Sequence, residues 1–425
     1  MSVGSLFTPA FAAGSPGAPS RQAAGWAAIA AVLLAMPHLF STSAALTTLC
    51  LMGIMVIFAL SYNILLGQTG LPSFGHAAYF GLGGYVAIHA MNLAGAGKLW
   101  LPLVAVPLVG GLGGLLFALI FGSFSTRRAG TTFAMISLGL AELVAASAPI
   151  LRGFFGGEEG VTTSRTDLPG LLGHDFGPQI EVYYLIAGWC LVAMAVMFFL
   201  TRTPLGRLFN AVRDNAERAE FIGFDPRWIR YYAVCFAGFF AGVAGGLQAI
   251  AFEIMNFSVL EAPQSGMVLL MTFAGGIGYF FGPVLGAVLI TWLQVSLSGF
   301  TGAWQLYFGL FFVLVIMYAP GGLAGIVAAH RLPWAKRRLH HLAPAYLAAV
   351  LPALVIAVAL VLGVEMAYHL GERAADGPVM AWFGLTFDAS GWRAWAVALL
   401  LGLAGALGLR LAVPRARAAW ERAGA

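Results

Sequence analysis

The chain has 425 residues, of which 60% are hydrophobic and only 9% are charged, and its mean hydropathy is +0.88. This composition excludes a water-soluble globular domain and predicts an all-α polytopic membrane protein. The formal net charge of +5 does not require nucleic acid as a partner, because arginine clusters beside membrane helices normally face anionic lipid.

Apolar stretches follow one another along most of the chain. Residues 1–22 are rich in Gly, Ser, Pro and Ala, with no charged start before an apolar centre, so we expect a flexible cytoplasmic tail and not a cleaved signal peptide. One crossing takes about 20 apolar residues, and the stretches interrupted by Gly and Pro, near 77–92 and 265–299, are candidates for broken or re-entrant helices. About twelve spans are predicted, at 23–40, 44–66, 77–92, 100–122, 132–151, 182–200, 231–252, 265–280, 283–299, 304–320, 343–366 and 392–413.

The basic residues divide unevenly between the predicted loops. With a cytoplasmic N-terminus, 17 of the 22 Lys and Arg fall on the cytoplasmic side and five on the outer side. The positive-inside rule therefore supports a multi-pass chain with both termini in the cytoplasm. The outer segment from Arg152 to Glu181 is too short for a domain, so it is either a vestibule or dock for an external partner or a solvated connector.

The first polar stretch inside the predicted membrane region runs from Ser61 to Tyr85, SYNILLGQTGLPSFGHAAYFGLGGY. Six glycines and Pro72 interrupt the apolar helix, and backbone groups freed at membrane depth are tolerated only inside protein or beside a watery cavity. Two interpretations stay open: a broken helix that lines a solute path, or a cytoplasmic turn whose glycines allow close packing. The candidate path residues are Asn63, Gln68, Thr69, Ser73 and His76.

Glu142 lies within another apolar stretch, TTFAMISLGLAELVAASA. An ionised carboxylate at that depth costs several kcal/mol unless it is paired or hydrated. We therefore expect Glu142 to face the interior of the helix bundle, either as a sixth residue of the solute path or as the partner of a neighbouring helix.

Motifs that carry catalytic chemistry are sparse. GAGKL at 95–99 is not a phosphate-binding loop, because Asn92 stands where the first glycine is needed and Leu99 where Ser or Thr would hold magnesium. The cysteines lie in apolar runs, which predicts buried thiols and neither a disulfide framework nor a metal site. We expect no catalytic residue, metal or cofactor, so any pumping is powered by a partner or by an ion gradient. The three cysteines are Cys50, Cys190 and Cys235.

One charged segment, Thr201 to Arg230, interrupts the apolar pattern and carries six of the 22 Lys and Arg residues. Its periodicity predicts one short amphipathic helix outside the bilayer, which Gly223 and Pro226 end. Arg213 and Glu217 stand four residues apart, the spacing of a pair on one helix face. The residues predicted to share the apolar face are Leu208, Ala211, Val212, Ala219 and Ile222.

Two later stretches, 236–250 and 271–290, have small residues at spacings of three and four. Such spacings allow helix backbones to approach each other closely. We expect packing seams there and no ligand-binding loop.

Several long blocks, in order, resemble the permease subunits of ABC importers for branched-chain amino acids, the LivM-like family. The resemblance runs from about Ala59 to Gly325 and includes the 61–85 stretch and the 201–230 segment. It continues through AGFFAGVAGGL, GGIGYFFGPVLGA and YAPGGLAG.

The resemblance implies a permease helix bundle in a bacterial inner membrane, paired with a second homologous permease subunit, two cytoplasmic ATPase subunits and a periplasmic solute-binding protein. ATP is then bound by the partners and not by this chain. Glu217, Ala219 and Gly223 resemble the E-A-A-x-x-x-G coupling motif, with Arg218 in place of the first alanine. The residues assigned to ATPase coupling are Arg207, Arg213, Glu217, Ala219 and Gly223.

The predicted organisation has three parts. The tail at 1–22 precedes a permease transmembrane domain at 23–330, whose cytoplasmic coupling loop is 201–230. A C-terminal extension at 331–425 adds two apolar spans that buttress the bundle, bind another subunit or simply face lipid.

Three functions are compatible with these features. The first is a non-catalytic translocation subunit that imports branched-chain or other hydrophobic amino acids. The second uses the same machinery for urea, short amides or aromatic acids. The third is an autonomous ion-coupled carrier, which is made less favourable by the long charged loop and by the presence of only one well-placed carboxylate in the middle of a predicted span, Glu142.

Overall fold

The computed structural model describes residues 19–170, 176–319, 321–335, 339–372, 377–382 and 385–423. Residues 1–18 of the predicted tail lie outside these ranges. Helices dominate the described residues, as predicted for an all-α chain. The elements are α1 (Pro19–Leu39), α2 (Ser43–Asn63), α3 (His76–Gly95), α4 (Val106–Ser125), α5 (Thr131–Ser147), α6 (Arg152–Phe155), β1 (Val161–Thr162), α7 (Gln179–Arg202), α8 (Pro204–Asp214), α9 (Ala216–Phe221), α10 (Pro226–Phe252), β2 (Ile254–Met255), α11 (Ala262–Gly275), α12 (Gly282–Ser298), α13 (Trp304–Tyr318), α14 (Gly322–Ala335), α15 (Leu339–Glu372), β3 (Val379–Trp382), β4 (Leu385–Asp388) and α16 (Trp392–Ala423).

Each of the twelve predicted apolar segments coincides with a helix. Among the described residues, seven helices are long and apolar enough to cross a membrane, or eight if α13 and α14 form one bent span. The predicted number of about twelve crossings is therefore not confirmed. Of the twelve helices that coincide with predicted spans, four have only 14 to 17 residues, fewer than the about 20 of a straight crossing; these are α5, α11, α12 and α13.

The described residues form two compact units, the first within 1–295 and 315–324 and the second within 296–314 and 325–425. In the first unit, α10 is the most enclosed long helix and packs against α2, α3 and α4. The helices α3, α4 and α10 meet along a glycine seam, where a Cβ atom on any seam residue would run into the backbone of a neighbouring helix. This contact confirms the packing seam predicted at 236–250. The glycine seam consists of Gly83, Gly110, Gly114, Gly242 and Gly245.

The second predicted seam, 271–290, is formed where α11 turns back into α12. A Cβ atom on Gly275 would meet the carbonyl of Gly282, and one on Gly286 would meet the carbonyl of Met271. Gly276 adopts a φ of +111°, a conformation that glycine reaches without the steric penalty of a side chain. The predicted close approach is confirmed here too.

The segment between α5 and α7 is tied to the end of α10. β1 pairs with β2 in antiparallel register, Val161 opposite Met255. The Arg165 amide donates to Glu253 Oε1 (2.8 Å), and its guanidinium donates to the Gly177 carbonyl (3.0 Å). Residues 171–175 lie outside the described ranges. The described part of this segment is therefore held against the bundle and is not a loose connector.

The second unit is built around α15 and α16, which run antiparallel and are joined through the β3–β4 hairpin. Gly405 of α16 packs against Ile356 and Pro352 of α15. At the hairpin end, a small apolar core holds the helices and strands together. It contains Leu362, Met366, Met380, Ala389 and Ala398. Both helices are long and apolar enough to cross a membrane, as predicted for the two spans of the 331–425 segment.

Candidate functional site

The helix that begins at Ser43 is interrupted before α3. At Asn63 it passes into a π-helical turn, Ile64–Gln68, and the chain then runs without regular helix to Gly75. We call residues 64–75 the break. A π-helical turn inside a longer helix is often found at functional sites, and the predicted interruption of this helix is confirmed.

The local sequence explains why the helix stops here. Gly70 adopts a φ of +68°, and Pro72 has no amide to donate to a helical hydrogen bond. Thr69 Oγ1 donates to the carbonyl oxygens of Ile64 and Leu65, at 2.9 and 2.7 Å. The two carbonyls share the single hydroxyl proton of Thr69, and the Leu65 carbonyl also accepts from the Leu71 amide at 2.9 Å.

The polar side chains predicted for the solute path are buried together at the break. Each of the five is at most 3% exposed, so none of them belongs to a solvated turn on the surface of this unit. The stretch is therefore a buried interruption of the helix, and this burial fits both a broken helix and a turn whose glycines pack closely. The five residues are Asn63, Gln68, Thr69, Ser73 and His76.

His76 is held across the break by Ser61, a residue that the sequence did not single out. Ser61 Oγ donates its proton to the Phe58 carbonyl (2.7 Å) and lies 2.9 Å from His76 Nε2. When the hydroxyl proton goes to Phe58, Nε2–H is the donor to Ser61, and Nδ1 is the acceptor nitrogen of the corresponding neutral tautomer. The ring also stacks on Phe58, with centroids 5.3 Å apart.

Four buried polar atoms at the break have no hydrogen-bond partner among the described residues: Tyr62 Oη, Asn63 Oδ1, Ser73 Oγ and His76 Nδ1. An unpaired buried polar group costs about 1–3 kcal/mol. The Asn63 and His76 atoms are acceptors, and the tyrosine and serine hydroxyls can donate or accept. The unpaired atoms at the break are therefore mostly acceptors or hydroxyls.

The charged loop between α7 and α10 contains two helices, so the prediction of one amphipathic helix is wrong. Asn215 ends α8 and caps α9, its Oδ1 accepting from the Arg218 amide at 2.8 Å. The turn at Asn215, between α8 and α9, separates Arg213 from Glu217. Arg213 pairs with Asp214 instead (3.0 Å).

The apolar face of the loop also differs from the prediction. Phe209, Val212 and Ala219 are buried, at 1%, 4% and 2% exposure, whereas Ile222 is 65% exposed. The prediction left Phe209 out of the apolar face because it fitted residues on both sides of Asn215 to one continuous helix. Gly223 closes α9 with a φ of +94°, and the Phe224 amide donates back to the Ala219 carbonyl at 3.0 Å.

Helix α8 lies directly against the break. The Arg213 guanidinium donates to the Gly67 carbonyl, and Asn210 Nδ2 donates to Gln68 Oε1 at 3.1 Å. A Cβ atom on Gly70 would lie 2.9 Å from Arg213 Cγ, so the side chain also packs on this turn. Two segments about 140 residues apart in sequence thus form one connected structure, the loop–break contact.

The far side of the loop exposes apolar and charged side chains together. Arg207, Glu217 and Arg218 are exposed as well. An apolar patch rimmed by charges is typical of a protein-binding surface. The exposed apolar residues, here called the loop patch, are Phe221 (90%), Ile222 (65%), Phe224 (44%) and Trp228 (59%).

Glu142 does not face the interior of this bundle, so that expectation is wrong. Helix α5 packs through residues spaced three and four apart, among them Ala134, Ser137 and Ala141, and Ser137 Oγ accepts from the Phe74 amide at the break (3.1 Å). Glu142, one residue past Ala141, is therefore turned to the exposed face of the unit, beside Leu143 (65% exposed).

The described residues place no group of three His, Cys, Asp or Glu side chains where they could hold a metal ion. The three cysteines are buried and unlinked, as predicted from their apolar surroundings.

A family model described as the permease component of branched-chain amino acid transport systems matches residues 44–320. The chain belongs to this permease family. The match contains both the break and the charged loop, and it ends before the 331–425 segment. Together with the apolar helices, it makes the chain a multi-pass membrane permease.

Three relatives illustrate the range of the family. LivM of Escherichia coli, a high-affinity branched-chain amino acid permease, is 26% identical over 291 residues, 64% of this chain and 67% of LivM. A probable LivM of Methanocaldococcus jannaschii is 23% identical over 321 residues, 64% of this chain and 90% of the relative. The guanosine ABC transporter permease NupQ of Bacillus subtilis is 25% identical over 284 residues, 63% and 77% of the two chains. No solved structure matches this permease significantly.

Proposed function

We propose that this chain is the non-catalytic translocation subunit of an ATP-driven importer for branched-chain or other hydrophobic amino acids. The loop–break contact carries the proposal. A partner that displaces α8 also displaces Gly67 and Gln68, which belong to the buried polar break. Movement outside the bilayer is thereby transmitted to the part of the bundle with the polar side chains, as alternating access requires.

The energy comes from two ATPase subunits on the cytoplasmic side, which bind the ATP. The loop patch supports docking of such a partner, since it exposes Phe221 and Trp228, and Arg207 and Glu217 of the same loop are exposed too. Ala219 and Gly223 act differently from these exposed residues. They fix the shape of the loop, Ala219 by its burial and Gly223 by its backbone conformation.

A second, homologous permease subunit covers the exposed face of α5. That face carries Met135 (68% exposed), Gly139, Glu142 and Leu143 in a stripe along the helix. An ionised carboxylate facing hydrocarbon is costly, whereas a partner subunit or a hydrated path between two subunits removes that cost. Glu142 therefore belongs to a path between subunits and not to one enclosed by this chain.

The transported solute carries an ammonium group. The acceptors Asn63 Oδ1 and His76 Nδ1 suit such a donor, in keeping with the amino acid transport named for LivM of E. coli. A periplasmic binding protein delivers the solute and sets most of the specificity. The chain lies in a bacterial inner membrane with both termini in the cytoplasm, as its basic residues indicate.

The test is co-purification. The tagged chain is solubilised gently from its native membrane, and the proteins recovered with it are identified by mass spectrometry. We expect a homologous permease and ATPase subunits, with an unrelated tagged membrane protein from the same membrane as the control. Recovery of the chain alone, under conditions that keep a known membrane complex intact, would favour the autonomous carrier.

The solute is tested next in proteoliposomes that contain the recovered complex and its binding protein. ATP-dependent uptake of leucine, isoleucine and valine is compared with that of guanosine, urea and an aromatic acid. Guanosine belongs in the panel because the relative NupQ is named for it. Faster uptake of urea or guanosine than of leucine would contradict the proposed solute and leave the ATP-driven mechanism in place.

A further inference from the structure

The second unit carries a groove of about 770 Å³ between α15 and α16, with β4 residues at one end. Its volume lies within the range of roughly 300–1,000 Å³ that is common for small-molecule sites. The walls are mainly apolar. They are formed by Val358, Leu362, Phe387, Val397 and Leu401.

The groove residues follow the helix periodicity. Arg393, Val397 and Leu401 stand four residues apart, as do Val358 and Leu362 on α15, so each set lies along one helix face. Eight residues from Arg393 to Leu401 correspond to roughly 12 Å along the axis. Val358 and Val397 are 44% and 51% exposed. The groove is therefore an open apolar channel along helices that can cross a membrane.

The mouth of the groove carries two opposite charges, Asp388 and Arg393. Asp388 Oδ1 accepts from the side chain and the amide of Ser390, at 2.6 and 2.8 Å. These bonds lower the pKa of Asp388, whose carboxylate is therefore ionised at neutral pH. Trp392 between them is 75% exposed, a position typical of a tryptophan at the membrane–water interface.

We propose that this groove binds a glycerophospholipid of the phosphatidylethanolamine class. An acyl chain lies along the apolar walls, the phosphate accepts hydrogen bonds from the Arg393 guanidinium, and the ammonium group donates to the Asp388 carboxylate. Arginine and phosphate form strong charge-assisted hydrogen bonds. A lipid with an anionic, ammonium-free headgroup would leave Asp388 beside a negative charge, and a choline headgroup has no N–H to donate.

The experiment uses the full-length chain, delipidated in detergent and titrated with dioleoyl phosphatidylethanolamine, phosphatidylcholine or phosphatidylglycerol. Native mass spectrometry counts the bound lipids. We expect phosphatidylethanolamine to bind several-fold more tightly than the other two. Arg393→Gln is expected to weaken its binding about tenfold, and Asp388→Asn is expected to abolish the preference over phosphatidylglycerol.

Two further variants separate the groove from the general lipid surface. Val397→Trp fills the groove and is expected to reduce phosphatidylethanolamine binding, whereas Leu403→Trp changes an exposed residue of α16 outside the groove (54% exposed) and is expected to have no effect. Arg410→Gln is the matched charge control. Since Arg393 and Asp388 are exposed, their variants are expected to keep the melting temperature of the wild type.

The proposal is overturned if the three lipids bind equally, or if Arg393→Gln and Arg410→Gln behave alike. Loss of the headgroup preference in Asp388→Asn, with unchanged melting temperature, supports it. Because lipid binding is measured without transport, the result is independent of the proposed importer function.

Discussion

Arg213 connects two parts of the first unit that are far apart in sequence, through its hydrogen bond to the Gly67 carbonyl. A hydrogen bond from a charged donor contributes about 1.5–3 kcal/mol. We expect Arg213→Ala to lower solute uptake about tenfold in proteoliposomes, while the partner ATPases still hydrolyse ATP. Measuring both rates on one preparation separates this loss of coupling from loss of assembly. Arg128→Ala, at an exposed arginine of another loop, is the control and should transport normally.

Glu142 gives a second prediction for a single residue. Glu142→Gln keeps the size of the side chain and removes its charge. If the carboxylate lies in a hydrated path between two permease subunits, the variant takes up solute more slowly and with a changed pH profile. Leu143→Gln, on the same exposed face, controls for polarity alone. Uptake by Glu142→Gln that matches the wild type at every pH would remove Glu142 from the path.

For single residues, the sequence predicts which side chains are buried better than it predicts which other side chains they contact. The five polar residues of the break stand out because glycines and Pro72 surround them, and all five are buried. The orientation of Glu142 and the contact of Asn210 with Gln68 depend on how helices pack across the fold. No local pattern in the sequence carries that information.

In the central loop, the N-cap residue Asn215 divides one predicted helix into two, α8 and α9. The helical spacing of the loop's apolar residues continues through Asn215. An asparagine side chain that accepts from a backbone amide is a favourable N-cap, and α9 begins after Asn215. Gly223 then closes α9. The hydrophobic pattern alone could place the loop and its polarity, but not the turn in its middle.

Gly223 supplies the prediction for this loop. Its φ of +94° costs an L-residue roughly 1–2 kcal/mol, and nothing lies within 4 Å of where a Cβ would be. We expect Gly223→Asp to lower coupled uptake several-fold without changing the amount of protein in the membrane. Gly223→Ala separates backbone strain from added charge. If both variants couple normally, the loop shape is not needed for transport.

The glycine seam gives a prediction about stability. Gly242→Ala would place a methyl group against the Gly110 backbone, and overpacking of this kind costs about 1–3 kcal/mol. We expect a melting temperature several degrees lower in detergent. Gly188→Ala, on α7 with nothing within 4 Å of the added atom, should melt like the wild type. Equal melting temperatures for the two variants would contradict the close approach.

For the whole molecule, the distribution of Lys and Arg predicts which side each loop faces. Glu220→Cys in α9 and Thr386→Cys in β4 are exposed positions, and the native cysteines are buried. We expect a membrane-impermeant maleimide to label Thr386→Cys in intact spheroplasts. Glu220→Cys is expected to be labelled only after the spheroplasts are permeabilised. The unmodified chain is the control for background labelling. The reverse pattern would invert the proposed topology.

The number of crossings could not be predicted at this scale, although each apolar segment was found. Hydropathy reports how apolar a segment is, but not whether the chain uses it as a full crossing. Helices α11 and α12 are joined by the tight turn at Gly276 and pack closely against each other, Gly286 of α12 lying against the Met271 carbonyl of α11. The prediction counted 265–280 and 283–299 among the twelve spans and also named 265–299 as a candidate for broken or re-entrant helices; α11 and α12 have 14 and 17 residues.

Backbone contact along the glycine seam has a mechanical consequence. Helices that touch through their backbones have no side chains between them to repack. We therefore expect α3, α4 and α10 to keep their relative positions during transport. The conformational changes of transport are then expected in elements beside the seam that are not part of it. These are the π-helical turn Ile64–Gln68, which contacts α8, and α5, which carries Glu142. If the break gates the solute, as proposed, we expect it to change conformation while the glycine seam keeps its geometry.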